Sequence, residues 1–267
     1  MKNSVRCRLL PSLGSMFCIL LAVAFLSGAA RAQTPDAAAR EALKKMTDYV
    51  SGLDAISFDF IADLEAVTSN GMKLQFPAAD QMTLDRPNKF HVTRKGGHIN
   101  IELVSDGDSV TLYGLKLNAF AKKDAPESLD VFENMVREER GADLHGADLL
   151  LQNAYDQLIE PFTKAMYLGT SVVDNVEYEH LALRTPEVDW QIQVAAGDKP
   201  YPCKYVVSSK WTTGAPEYQL RISNWNAAPA VDDESFAFKP ADGAKEVELT
   251  EINADVLMPE TVKRAKK

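Results

Sequence analysis

The sequence predicts an α+β protein built on one antiparallel sheet of about eleven strands, with a helix before the sheet and a helical pair interrupting it. Three observations predict this. Apolar residues recur at the helical period between residues 34 and 53 and again between 125 and 162, and at period 2 in the stretches between and after. The period-2 segments follow one another across tight turns, leaving no room for the crossovers that parallel strands require. Along them one face is apolar and the other polar, the mark of a sheet with one dry side.

Ahead of the folded region, residues 1–32 carry an export signal. Lys2, Arg6 and Arg8 form a positive start, Leu13 to Ala30 is almost wholly apolar, and Ala30-Arg31-Ala32 places small residues at a cleavage site after Ala32. The competing reading is a membrane anchor, but the apolar core is short against the roughly 20 residues of a span and no stop-transfer cluster follows. Cleavage removes four basic and no acidic residues, so net charge moves from −9 to −13. It also removes Cys7 and Cys18 and leaves Cys203 alone, so stability rests on packing and not on an internal disulfide. A chain this acidic lacks the basic footprint of a nucleic-acid binder. No later run is long enough to span a membrane. The expected division is a signal peptide (1–32), one domain (33–250) and a C-terminal tail (251–267).

The first helix has clear boundaries. Thr34 is a capping residue, Pro35 suits the first helical position, and Asp36 complements the dipole. Ala39, Leu43, Met46, Val50 and Leu53 form one apolar stripe, and Gly52 offers the stop. From Ile56 the period becomes 2. Phe58, Phe60, Ala62, Leu64 and Ala66 alternate with Ser57, Asp59, Ile61, Asp63 and Glu65, and Asn70-Gly71 predicts a primed hairpin turn. Further strands are expected at about 80–85, 89–95, 98–104 and 109–113.

Leu129, Phe132 and Val136 then mark a helix ending near Gly141, and a second runs from about Ala147 to Ile159 before Pro161. Strands resume at roughly 167–173, 176–184, 188–195, 203–211, 216–224 and 235–239. Trp190, Ile192 and Val194 alternate with Asp189, Gln191 and Gln193. Val247 and Leu249 predict a last strand in the tail, which ends in a basic cluster of Lys263, Arg264, Lys266 and Lys267.

Residues that carry chemistry are scattered. His91, His98, His145 and His180 fall on four different segments, without the i, i+4 spacing of a helical zinc site. Ser171 lacks the second glycine of a nucleophile elbow. There is no phosphate loop or dinucleotide fingerprint, and Asp106 and Asp108 read as turn residues around Gly107. Cys203 reads as an inert, half-buried thiol. No cofactor, metal or catalytic residue is therefore expected. What remains is architectural: either the helices fill the apolar side of the sheet as an ordinary core, or they leave a greasy cavity.

The segment Tyr167-Leu168-Gly169-Thr170-Ser171-Val172-Val173-Asp174, with His180-Leu181-Ala182, Val188-Asp189-Trp190-Gln191-Ile192 and Ser209-Lys210-Trp211, resembles a family of predicted bacterial periplasmic proteins of unknown function. In fold that family looks like the lipoprotein-carrier group (LolA/LolB-like). The resemblance implies a half-barrel, the sheet curling around the N-terminal helix and the mid-chain helical pair. It also implies a soluble periplasmic carrier of a lipid or a lipoprotein acyl chain, with the helices at 129–159 as lid. Moving acyl carbon out of water yields about 0.8 kcal/mol per CH₂. The expected lining is Phe58, Phe60, Leu64, Leu84, Ile101, Leu112, Phe132, Trp190, Ile192 and Val194. The alternative is an envelope sensor or interaction module that binds a protein partner through a sheet edge or the 125–160 segment, with no bound lipid.

Overall fold

A computed structural model describes residues 35–97, 100–140, 144, 146–173 and 175–252. The export signal, Thr34, His98, His145, Asp174 and the basic tail lie outside them.

The sheet is two meanders joined at their far ends. In the first, β1 (Ala55–Val67), β2 (Lys73–Asp85), β3 (Lys89–Gly96), β4 (Asn100–Ser105), β5 (Ser109–Gly114) and β6 (Ala119–Asp124) pair in succession. After the helical insertion, β7 (Lys164–Val173), β8 (Val176–Arg184), β9 (Val188–Ala195), β10 (Pro202–Ser209) and β11 (Glu217–Asn226) do the same. β11 then returns to lie antiparallel against β1, with Phe60 opposite Ile222 and Ala62 opposite Leu220. One continuous open sheet results, with β7 at one edge. At the other, the two-residue β12 (Lys245–Glu246) runs parallel to β6.

The helices sit on one side of this sheet. α1 (Pro35–Ser51) lies along β7 and β8 and meets α3 (Ala154–Ile159) and the 3₁₀ turn at Ala147–Leu150. Its stripe is sealed as the periodicity predicts: Ala39, Leu43, Met46 and Val50 are fully buried. α2 (Leu129–Arg140) sets Phe132 against Phe90 of β3, ring centroids 5.1 Å apart. Val110 of β5 and Leu181 of β8 belong to the same hydrophobic cluster as these helices, although eight strand spacings separate the two strands. A flat sheet would hold them about 38 Å apart. The sheet therefore curls around its helical layer, an antiparallel half-barrel left open at both edges.

Five local expectations change. First, β6 was hidden because Ala119-Phe120-Ala121-Lys122-Lys123-Asp124 has little apolar alternation; pairing to β5, and not propensity, makes it a strand. Second, the Asn70-Gly71 turn is not primed: only Gly71 adopts positive φ (86°), and the loop closes through Thr68–Met72 bonds. Third, the second mid-chain helix is two short pieces, the 3₁₀ turn and α3, broken at Gln152-Asn153. Fourth, the strand expected at 235–239 is not in the sheet. Its start is a 3₁₀ turn, Asp233–Phe236, held by a reciprocal capping box between Asp232 and Ser235. Fifth, in the tail, the described strand is β12 and not a segment at Val247 and Leu249.

This last segment overturns the one-sided reading for part of the sheet. Beyond β11 the chain crosses the outer face of β3–β6, where Phe238 packs on Tyr113 and Phe120, centroids 5.6 and 5.1 Å away. Phe236, Val104, Thr111 and Tyr113 are all buried. At this end of the sheet the outer face is covered as well.

Candidate ligand-binding face

Residues directly opposite across a strand pair share a face, so the ladder registers define which side chains meet the helices. Ile56 pairs with Leu84, Phe58 with Met82 and Leu64 with Phe76; Val92 pairs with Leu103, which pairs with Leu112. In the other meander Leu181 pairs with Ile192 and Leu183 with Trp190. The registers place Phe58, Phe60, Leu64, Leu84, Ile101, Leu112, Trp190, Ile192 and Val194 together on the helix-bearing face, and Phe132 reaches it from α2.

Burial divides them into two groups. Phe58, Leu84, Phe132, Trp190, Ile192 and Val194 are closed within the core. Trp190 is locked between rings, with Phe162 at 5.1 Å and Tyr205 at 5.6 Å. These six residues are structural filling. Phe60, Leu64, Ile101 and Leu112 are only half-buried, as are Phe76, Val92, Leu103 and Ile222 beside them. That second group forms an apolar floor that runs across β5, β4, β3, β2, β1 and β11, interrupted in the Phe60 row where Asp80 and Arg94 stand in register between Phe60 and Ile101, and the helices do not finish covering it. The alternation of the sequence shows the face but not this division, since it records orientation and not what lies above each residue.

The floor is bordered by polar groups from the helical layer. Tyr205 of β10 donates to Asp148 Oδ2 at 2.9 Å, and the Leu149 amide donates to Oδ1 at 3.1 Å. Burial pushes the Asp148 carboxyl up to about 6, and nearby Glu133 adds to the rise while the hydrogen bonds oppose it. Asp148 is partly accessible as a residue, while its carboxyl group is enclosed. Glu133 is 2% exposed; Oε1 accepts from Arg137 and Oε2 has no partner. On the far side of the layer, Arg86 directs Nε to the Leu53 carbonyl and Nη2 to those of Val50 and Leu150.

The other singled-out residues fall elsewhere. His91 on the outer face meets Glu102 Oε1 at 2.8 Å and the Ser235 carbonyl at 3.1 Å, pinning the C-terminal crossing segment. His180 contacts Gln191 at 3.1 Å. Cys203 is buried and its thiol is pushed up to about 12 by that burial, so it stays protonated. Ser171 is exposed on edge strand β7, beyond a bulge at Gly169 (φ 96°). A cleft of about 220 Å³ lies at the β7–β9 end, lined by Met166, Ala182 and Gln191 and crossed by the Arg184–Asp189 ion pair. It is not the cavity expected between sheet and helices. Among the described residues, no group of three or more His, Cys, Asp or Glu converges as a metal site, and no helix is long and apolar enough to cross a membrane.

A family model described as a predicted periplasmic protein (DUF2092) matches residues 39–250. The chain belongs to that family. The match spans α1 through β12, the whole sheet and its helical layer. No curated protein matches the sequence. Among solved structures, an uncharacterized conserved protein from Thermus thermophilus is 11% identical with a TM-score of 0.45, covering 79% of this chain and 99% of that one. The lipoprotein LppX of Mycobacterium tuberculosis is 14% identical with a TM-score of 0.43, covering 74% and 100%. A LolA superfamily protein from Nitrosomonas europaea is 11% identical with a TM-score of 0.31, covering 75% and 97%.

Sequence reasoning missed Tyr49, Tyr201 and Trp225, which close one end of the floor. Trp225 stacks on Phe58 (5.4 Å, 13°) and on Tyr201 (5.4 Å, 9°). For Tyr201 and Trp225 the sequence signal was aromatic type near a strand end, because the stack joins β1, β11 and the β9–β10 turn, which lie far apart in the chain.

Proposed function

We propose that this member of the DUF2092 family is a non-catalytic periplasmic carrier for a lipid or a lipoprotein acyl chain. The observation that carries the reading is the half-buried apolar floor of Phe60, Leu64, Phe76, Val92, Leu103, Leu112 and Ile222 on the helix-bearing face. Those side chains share a face and remain partly uncovered, on the side where the helices would otherwise complete a core. An acyl chain laid there removes its methylenes from water at about 0.8 kcal/mol each. The test is native mass spectrometry of protein purified gently from an envelope fraction, followed by organic extraction. A discrete added mass in the lipid range, lost in Phe60→Asp, is the expected result. A clean unliganded mass with no uptake of added monopalmitoylglycerol overturns it.

A second reading has its own support. Edge strand β7 leaves Leu168 (51%), Val172 (68%) and Val173 (49%) exposed, and its outer backbone edge has no strand partner. An envelope protein adding a strand there would make this an interaction module. Loss of a co-purifying partner on Val172→Lys, with no lipid in either protein, is the outcome that selects this reading.

A further inference from the structure

Two hydrogen-bond donors at this end of the floor, one in the ring stack and one on α1, have no partner among the described residues. Tyr49 Oη on α1 and Trp225 Nε1 at the end of β11 are both shut off from solvent, and neither has a partner. Tyr201 links them. Its ring stacks on Trp225 at 5.4 Å, and its phenol is held above the ordinary tyrosine range by burial, with Cys203 and Tyr49 adding to the rise. Phe58 lies on Trp225 and leads to Phe60 on the same strand face, centroids 5.8 Å apart, so the donors stand where the half-buried floor begins.

The chemistry of the missing partner follows from the donors. An indole N–H can only donate, so what it lacks is an acceptor. Buried polar groups in folded proteins are almost always paired, and an orphan pair at the mouth of an apolar surface marks a place for a group the chain does not supply. A neutral acceptor suits these donors best. The guanidinium at this end of α1, Arg86, directs its Nε and Nη2 at three backbone carbonyls, and the Cys203 thiol stays protonated. A carboxylate or phosphate would therefore arrive without a counter-charge from either group, whereas a carbonyl oxygen brings no charge to desolvate.

We propose that Tyr49 Oη and Trp225 Nε1 form a carbonyl-recognition subsite that takes the ester oxygen of an O-acyl chain whose hydrocarbon lies on the floor beginning at Phe60. The subsite rests on the acyl-carrier reading and deepens it, assigning the ligand as an acyl ester over a free fatty acid or an alkyl ether.

The test compares 1-monopalmitoylglycerol with 1-O-hexadecylglycerol, which keeps the glycerol and a sixteen-carbon chain but replaces the ester carbonyl by a methylene. Both are titrated into the purified protein below their aggregation concentrations, followed by calorimetry and by the indole N–H resonance of Trp225. The ester is expected to bind about five- to tenfold more tightly than the ether, as one to two net hydrogen bonds imply, and to shift the indole resonance. Tyr49→Phe should lower ester affinity about fivefold, leave ether affinity unchanged and keep the fold. Equal affinities for the two probes, with an unmoved indole resonance, overturn the subsite while leaving acyl carriage standing. Binding of neither probe removes acyl carriage and the subsite with it.

Discussion

The Tyr205 hydroxyl donates a 2.9 Å hydrogen bond to Asp148 Oδ2, joining the sheet to the helical layer across 57 residues of sequence. The bond ties β10 to the 3₁₀ turn between α2 and α3, the segment that covers the apolar face. Its acceptor is a carboxyl enclosed beside a second buried acid, Glu133. The layer is thus fastened by a group whose charged form its own surroundings disfavour.

That arrangement sets a pH dependence. Asp148 has its folded-state value raised to about 6 from an unfolded 3.8, chiefly by burial. Between those values the folded state holds a proton that the unfolded state has lost, so this group's contribution is complete below about pH 4 and is lost as pH rises through 6. Asp148→Asn keeps an oxygen for Tyr205 and removes the titration. Above pH 7 the variant should be more stable than the parent by about 3 kcal/mol, with the gap closing toward pH 4. Carboxylates held below their usual range, such as Asp189 beside Arg184, give the opposite slope in both proteins, so the measurement is the difference in thermal midpoint between the two across pH 4 to 8. A constant difference would contradict the assignment.

The split between closed and half-open apolar residues predicts two kinds of variant. Trp190 is 3% exposed and ringed by Phe162 and Tyr205. Trp190→Ala should cost about 3–5 kcal/mol through the cavity it leaves, and any lost lipid binding will track lost fold. Phe60 is half-buried on the floor, so Phe60→Asp should cost about 1–2 kcal/mol while abolishing lipid retention. Urea midpoints measured beside extracted lipid content separate the two. Retained lipid in a folded Phe60→Asp protein sinks the floor as the binding surface.

This division shows how far the sequence could be read. Period-2 alternation at Phe58-Phe60-Ala62-Leu64 and at Trp190-Ile192-Val194 identified the helix-bearing face correctly, because orientation in a strand is local. Alternation is blind to what covers a face. Phe58 and Phe60 read alike in sequence, yet Phe58 lies under Trp225 while Phe60 stands partly open. β6 was missed because Lys122 and Lys123 suppress its pattern, and the crossing of the tail over β3–β6 was missed because Phe236 and Phe238 alternate as a strand would. In each case the deciding contact comes from residues remote in the chain.

Arg86 is a junction that no surface lysine could replace. Its Nε and Nη2 reach the carbonyls of Leu53, Val50 and Leu150 at 2.7–3.3 Å, tying the end of α1 to the 3₁₀ turn. Burial pulls its pKa down, against Asp130 and Asp54, which hold it up. Arg86→Met leaves those carbonyls without their donor and should cost about 2–4 kcal/mol. Arg86→Lys, a single ammonium without the planar fork, should recover less than half of that loss. Hydrogen exchange of the α1 C-terminal turn reports the loosening directly, and protection equal to the parent's in Arg86→Met would refute the role.

The segment beyond β11 acts as a cover for the outer face of β3–β6, and its removal should convert that face into an aggregation site. Phe238 seals Tyr113 and Phe120, and Phe236 is 1% exposed. Three side-chain links hold the cover, His91 to the Ser235 carbonyl, Lys89 to Asp233, and Asn118 to the Asp242 carbonyl, beside the backbone bonds of Lys245 and Val247 to the Asn118 and Phe120 carbonyls at β6. The apolar contacts carry most of the free energy, since an exposed ion pair such as Lys89–Asp233 contributes at most about 1 kcal/mol, whereas Phe236→Ala should cost about 3–5 kcal/mol. Truncation after Asn226 uncovers Val104, Thr111 and Tyr113 and also removes β12 from the edge of β6. The truncated protein should bind a hydrophobic dye and associate in a concentration-dependent way, because an apolar sheet face beside an unpaired edge is a template for further strands. Lys89→Ala should do neither. A truncated protein that remains monomeric and dye-negative would mean that the outer face does not depend on this cover.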